Sequence, residues 1–372
     1  MSPKVSVIMP IYNVEKYLQQ SLLSVMHQTL KDIEIICVND GSTDSSLDIL
    51  QYYAKKDSRI KIISTTNFGY GHAMNIGLRE ATGEYIGIVE PDDYIQIEMY
   101  EYLYDVAKRL NIDIVKADFY RFTRGNNKTD LFFQPVVNHV DNYRKIIEPQ
   151  KEKICFRYMM NIWCGIYKSD LISKNQIWFN ETPGAAFQDN GFWFQTLCYC
   201  RNIYYLDIPF YMNRRDNPKS SVNNPDNIYC CNEEYKFIRS FLRKHPELER
   251  DFLEGYMVKK YETYMFNINR VNGETLKKYL KFISDEWHKD YLEGDLKEQY
   301  FYEDEWKHIV QIMEHPEQFT REKNSYNELE QKNEELQYRI DEIQKSRSYK
   351  IGLIITAIPR KIRKIKNRRK EK

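Results

Sequence analysis

Over the first hundred residues, short apolar runs alternate with stretches whose apolar residues recur at helical spacing. Val5-Ser6-Val7-Ile8-Met9 is rich in β-branched residues and halted by Pro10, the pattern of a buried strand. Val14 to Leu30 then carries Tyr17, Leu18, Leu22, Val25 and Met26 on one helical face. Ile33 to Val38 predicts a second strand ending in Asn39-Asp40-Gly41-Ser42, and Asp44 to Ala54 a helix capped by Ser42 or Thr43. Strand Ile60 to Ile63, helix Gly71 to Ala81, strand Tyr85 to Val89, helix Gln96 to Leu110 and strand Ile112 to Ala117 complete the series. Strands alternating with helices at this pitch predict an α/β fold with a mostly parallel sheet.

Beyond Asn217 the glycines and prolines thin out and the pattern turns helical, with helices expected over Tyr229 to Lys244, Leu248 to Asn269 and Thr275 to Asp290. Tyr326, Leu329, Asn333, Leu336, Ile340 and Ile343 recur at three- and four-residue steps. They form a short heptad seam whose one polar position would select register in a parallel homodimer. A solvated amphipathic helix is the alternative for so few heptads.

Charge divides the chain unevenly. The net value is +1, yet residues 345–372 hold twelve Lys or Arg against one acid, leaving 43 bases and 53 acids in the remainder. Tyr349, Ile351, Leu353, Ile354, Ile355, Ile358, Ile362 and Ile365 interleave with those bases. Such a segment suits an anionic membrane surface. Nucleic acid is disfavoured as a partner, because an acidic body repels phosphate and base-stacking aromatics are few. No apolar run reaches the ~20 residues of a membrane span, and Pro10 interrupts any signal-like segment, so a cytoplasmic protein held at the inner face of the membrane is expected. Seven cysteines without a Cys-x-x-Cys pair and scattered histidines argue against a zinc site or a disulfide framework.

The sharpest chemical signal is Glu90-Pro91-Asp92-Asp93, directly after the fourth strand. Adjacent carboxylates repel, and a hard divalent cation is the natural counterion; Mg²⁺ is typically held by one or two carboxylates plus substrate phosphates. An acidic turn leading into the next helix is the competing reading.

Four motifs now occur in order: Val5-Ser6-Val7-Ile8-Met9-Pro10-Ile11-Tyr12-Asn13, Val38-Asn39-Asp40-Gly41-Ser42-Thr43-Asp44, Gly83-Glu84-Tyr85-Ile86 and Pro91-Asp92-Asp93-Tyr94. Together they resemble the inverting glycosyltransferases of family 2, with the GT-A fold, over roughly residues 4 to 215. The resemblance implies a Rossmann-like nucleotide-sugar domain, a bound Mn²⁺ or Mg²⁺, and displacement of a nucleoside diphosphate, with a UDP-sugar favoured. Asp40 would accept a hydrogen bond from the base, and Tyr12 would stack on it. Pro10 and Asn13 would shape the same loop, while Asn67, Gly71 and His72 would approach the phosphates at the entry to the third helix. His72 would partly replace an Arg that many members carry where this chain has Met74.

Asp92 and Asp93 would hold the metal, with Glu90, where Asp is commoner, reaching it through water or contacting the ribose. Ala185-Ala186-Phe187-Gln188-Asp189-Asn190 resembles the family's acidic pair before an aromatic helix, with Gln188 at the Glu position. Asp189 would be the catalytic base; a helix-capping role is compatible with that chemistry. Phe187, Gln188 and Trp193 would line the sugar pocket. Arg214 and Arg215 would either clamp the leaving diphosphate or form surface ion pairs.

The expected organisation is a nucleotide-sugar half over 1–118, an acceptor half with the base over 119–217, helices over 218–322, a coiled coil over 323–346 and a basic tail over 347–372. The expected acceptor is a hydroxyl of a glycan or lipid-linked oligosaccharide in surface polysaccharide synthesis. A nucleotide-sugar-binding scaffold without transfer activity is the alternative.

Overall fold

Every residue of Val5–Ile11 is buried, because this strand, β1, runs inside a sheet with a parallel neighbour on each side. The computed structural model describes residues 2–125, 129–220, 224–346 and 351. These fall into two units, one of residues 1–270 with 294–301 and one of 271–293 with 302 onward.

In the first unit β1 is followed by α1 (Glu15–Met26), β2 (Ile33–Asp40), α2 (Ser46–Ala54), β3 (Ile60–Thr65), α3 (Tyr70–Glu80) and β4 (Tyr85–Ile88). Then come β5 (Tyr94–Ile95), α4 (Met99–Leu110), β6 (Ile114–Arg124), β7 (Thr129–Gln134), β8 (Ile146–Ile147) and β9 (Gly165–Lys168). The unit continues through α5 (Ser169–Lys174), α6 (Gln188–Tyr199), β10 (Ile203–Arg214), α7 (Cys230–Lys244) and α8 (Pro246–Ile268). The strand order is β3-β2-β1-β4-β9-β6-β10-β5, with β7 beside β6 and β8 beside β10. Strands β3, β2, β1 and β4 are mutually parallel, and β6 and β10 are parallel; β9 runs antiparallel between the two groups. This is the α/β architecture with a mostly parallel sheet that the alternating pattern predicts.

Several boundaries differ from the pattern, each for a local reason. Pro10 does not halt β1, which pairs with β2 through Ile11. Val89 donates to the Ile8 carbonyl on the β4 side, so the Pro10 nitrogen points to that same side, where β4 has already ended and no ladder donor is lost. Neither Ser42 nor Thr43 caps α2; the Asp44 carboxylate accepts from the Ser46 N–H at 3.0 Å instead. Helix α4 begins at Met99, because Gln28 bridges the preceding segment, donating to the Gln96 carbonyl and accepting from the Tyr100 N–H. Strand β6 runs on to Arg124, stabilised by β7.

The second unit contains α9 (Gly273–Leu292), α10 (Glu303–Glu314) and α11 (Pro316–Lys345). Phe319 anchors the start of α11, whereas Tyr326, Leu329, Leu336, Ile340 and Ile343 farther along the helix are all exposed. The segment 347–372, apart from Ile351, lies outside the described residues. Among the described residues no helix is long and apolar enough to cross a membrane.

Candidate active site

A groove of about 970 Å³ opens in the first unit, where the ends of β1, β4, β6 and β10 meet residues 157–163, the turn before α6, and α8. Pro10 and Tyr12 line one part of it, and Tyr12 stays 46% exposed, so its ring is free to stack on a planar ligand.

The acidic turn supplies three carboxyl groups with three different surroundings. Glu90 accepts the Tyr70 hydroxyl at 2.7 Å, and its N–H donates to the Tyr211 hydroxyl at 3.0 Å. Burial pushes the Glu90 carboxyl up to about 8. Asp92 is partly exposed on the groove and accepts the Asn217 amide at 2.8 Å. Asp93 is buried, accepting from the Arg214 N–H at 2.6 Å and from the Asn213 amide at 3.1 Å. It therefore pegs the turn to β10, and of the pair expected to hold metal only Asp92 offers an open face.

Arg214 is equally committed. Its nitrogens donate to the Asp92 carbonyl, to Gln20 and to Asp216, and its guanidinium lies 4.6 Å from the ring centres of both Tyr17 and Phe122. It braces the turn and does not act as a free clamp. Arg215, by contrast, is exposed on the groove.

Asp189 sits in the first turn of α6 and not at its cap, which is Phe187 in a left-handed conformation with φ 68°. Burial raises its carboxyl to about 6, moderated by N–H groups at the helix start and by the charge of buried Lys116. A helix N-terminus favours the anion that burial disfavours, which leaves a partly exposed carboxylate poised near neutrality. Phe187 lines the groove beside it. The Gln188 amide is occupied within its own turn, accepting from the Ala186 N–H at 2.6 Å and donating to the Thr182 hydroxyl at 2.9 Å. Trp193 is buried under Phe156 and Lys259 and does not reach the groove.

Several residues expected at the ligand make contacts within the scaffold. Asp40 is buried away from the groove and accepts the Phe68 and Gly69 N–H groups, both at 2.9 Å. The Asn13 side chain accepts from the Thr43 N–H at 2.8 Å, tying the β1 loop to the β2 loop. His72 pairs with Glu181 at 2.8 Å, and Asn67 is exposed without lining the groove. Gly71 is required by packing, since a Cβ there would overlap the Asn180 carbonyl.

Other lining residues had no legible signal in the sequence. Trp163 lies over Tyr211 with ring centres 4.2 Å apart and planes tilted by 30°, and meets the edge of Phe119, forming an aromatic platform. Arg121, Asn213, Lys259 and Glu262 also face the groove. Strand alternation on β6 and β10 would have exposed the first of these, had the two strands been known to be neighbours.

A divalent cation fits this groove only in part as protein ligands go. Among the described residues no three His, Cys, Asp or Glu side chains converge to hold a metal. Asp92 alone fits the pattern of a Mg²⁺ or Mn²⁺ bound by one carboxylate with the remaining ligands from substrate phosphates and water.

A mostly parallel sheet with a groove at its strand ends defines an α/β protein of the kind that binds ligands beyond the carboxyl ends of its strands. The family model for glycosyl transferase family 2 matches residues 6–164. The uncharacterized glycosyltransferase EpsJ of Bacillus subtilis (strain 168) is 35% identical over 225 residues, which are 60% of this chain and 64% of that protein. Glycosyltransferase GlyG of Streptococcus pneumoniae serotype 4 is 39% identical over 232 residues, 58% of this chain and 72% of GlyG. The chain thus spans just under two thirds of EpsJ and somewhat more of GlyG. The crystal structure of S. aureus TarS 1–349 in complex with UDP-GlcNAc shares the fold, with a TM-score of 0.52 at 18% identity, over 85% of this chain and 92% of that one. This chain belongs to glycosyl transferase family 2.

Proposed function

We propose that the protein is a metal-dependent inverting glycosyltransferase, moving one sugar from a UDP-sugar to a hydroxyl of a glycan or lipid-linked acceptor. The observation that carries this reading is Asp189, a carboxylate raised to about 6 and facing the same groove as Asp92. In the reaction Asp189 takes the acceptor hydroxyl's proton as that oxygen forms a bond to the anomeric carbon; the bond from that carbon to the diphosphate breaks, and its electron pair leaves with the nucleotide. Tyr12 stacks on the base, and the Trp163 platform carries a sugar ring. Asp92 would hold Mn²⁺ or Mg²⁺, which neutralises the leaving diphosphate. UDP-GlcNAc, the ligand of the TarS structure, is the first donor to try.

Residues 347–372 would draw the enzyme to anionic lipid at the inner membrane face, as the charge pattern suggests, and the exposed seam of α11 would pair two copies. The test is transfer or donor hydrolysis across a panel of nucleotide sugars with Mn²⁺. Turnover that Asp189→Asn abolishes supports the reading; binding without any turnover, whatever the donor, supports a scaffold role.

A further inference from the structure

The groove carries two cations, Arg121 and Arg215, to which the mechanism above gives no role. Strand register sets Arg121 on β6 opposite Asn213 on β10 and Phe122 opposite Arg214. The Arg215 N–H donates to the Phe122 carbonyl at 2.9 Å, which continues the ladder one residue past β10. Alternation then places Phe119 and Arg121 on one face of β6, and Tyr211, Asn213 and Arg215 on the same face of β10, with Arg215 diagonal to Arg121. Both arginines line the groove. Among the described residues neither guanidinium has a carboxylate partner, whereas Arg214, on the opposite face of β10, is fully engaged.

Two like charges held diagonally on the neighbouring strands β6 and β10 raise the free energy of the empty protein. Arg121 is half-buried, and both its burial and the charge of Arg215 disfavour its cation. An anion bound between them removes that penalty, and guanidinium groups match phosphate with paired N–H donors. Asp92 in the acidic turn suits the cation that accompanies the donor's diphosphate. The arginine pair lies on the other side of Asn213, next to the Trp163 platform. It also lies opposite Phe132 of β7, which is exposed together with Leu131 and Phe133.

We infer that Arg121 and Arg215 form a phosphate-binding pair that receives a phosphate group of the acceptor, separate from the site of the donor diphosphate. The inference rests on the transferase reading for the words donor and acceptor; the anion site itself does not. The phosphate belongs either to a lipid carrier or to a phosphodiester within a glycan.

Calorimetric titration of the full chain decides it, with inorganic phosphate and geranyl phosphate as probes, each with and without saturating UDP and Mg²⁺, on wild type, Arg121→Gln and Arg215→Gln. Phosphate binding that persists with UDP present, and that falls about tenfold or more in either variant while UDP affinity changes less than twofold, is the expected result. Geranyl phosphate binding tenfold tighter than phosphate assigns the lipid carrier, and equal binding assigns a phosphodiester glycan. Failure of wild type to bind either probe, or unchanged probe binding in both variants, overturns the pair. Tenfold loss of UDP affinity in Arg121→Gln overturns its assignment to the acceptor. Thermal melting of each variant identifies any loss that comes from misfolding, and the milder Arg121→Lys, which keeps the charge and loses the fork, should then retain intermediate binding. Absence of UDP binding in wild type removes the transferase reading, and the probe titrations without UDP still decide the anion site.

Discussion

The Glu234 carboxylate on α7 accepts the Gly191 N–H in the first turn of α6 at 2.9 Å, and the Asn180 amide at the same distance. A helix beyond the matched family segment thereby holds the turn that carries Asp189. Gly191 is tightly fitted to this contact, since a Cβ there would strike the Glu234 carboxylate and the Phe237 ring. Glu234 is almost fully buried, and its carboxyl is raised to about 7, chiefly by that burial.

Glu234→Ala leaves the buried Gly191 N–H without an acceptor, a cost of about 1–3 kcal/mol, and frees the half-buried Asn180 amide. The variant is expected to melt several degrees lower and to lose turnover more than UDP affinity. Differential scanning calorimetry alongside a UDP titration checks this. Equal losses of both, with an unchanged melting temperature, would contradict the positioning role.

Asp189→Asn should lose about 10²-fold or more in transfer while donor binding persists, because a base acts on the acceptor. The same change should stabilise the protein. The folded carboxyl is raised to about 6 from 3.8, so the folded state holds its proton more tightly, and stability falls as pH rises through that window. Above it the charged form is the penalised one, and the neutral amide should gain on the order of 1 kcal/mol. A melting temperature at pH 7.5 that drops in Asp189→Asn would refute the burial argument.

Transfer should depend on pH through the same group. The base works only when ionised, so turnover at saturating donor rises as pH passes through about 6 and levels above it. Below pH 5 the expected fall is about tenfold per unit. A profile flat from pH 5 to 8 would move the base elsewhere.

Asp92 and Asp93 should separate cleanly by substitution. Asp92→Asn is expected to weaken UDP binding in Mn²⁺ to the level seen in EDTA, with little change in melting. Asp93→Asn disturbs acceptors for the Arg214 N–H and the Asn213 amide, so it should lower stability by about 1–3 kcal/mol. Equal UDP affinity in EDTA and in Mn²⁺ for the wild type would remove the metal from the mechanism.

Truncation after Ser346 should release the protein from anionic vesicles and leave UDP binding unchanged, since each Lys or Arg near such a surface contributes about 1 kcal/mol. Leu336→Glu should convert a dimer to a monomer in sedimentation, because it places a charge on the exposed seam of α11. A full-length chain that ignores vesicles at low salt yet binds RNA tightly would reverse the choice of partner.

The alternation of strands and helices, the acidic turn and the aspartate at the start of an aromatic helix were all legible in sequence, because each lies within one local pattern. Burial on both faces makes a parallel strand apolar throughout, and a helix must show its 3.6-residue period to find the core. What the pattern could not separate was a polar side chain facing ligand from one facing backbone. Asp40, Asn13 and His72 occupy loop positions where either use demands the same residue type, and only the folded chain brings Phe68, Thr43 and Glu181 to them. Asp93 and Arg214 were likewise diverted to each other by the pairing of β5 with β10, across some 120 residues of chain. Trp163 and Arg121 entered the groove, and Arg215 came beside Arg121, only when β6 and β10 became neighbours. Hydrophobic periodicity specifies which face of a strand is buried; it carries no information on which distant strand will lie beside it, and a site built across such a pair exists only in the folded chain.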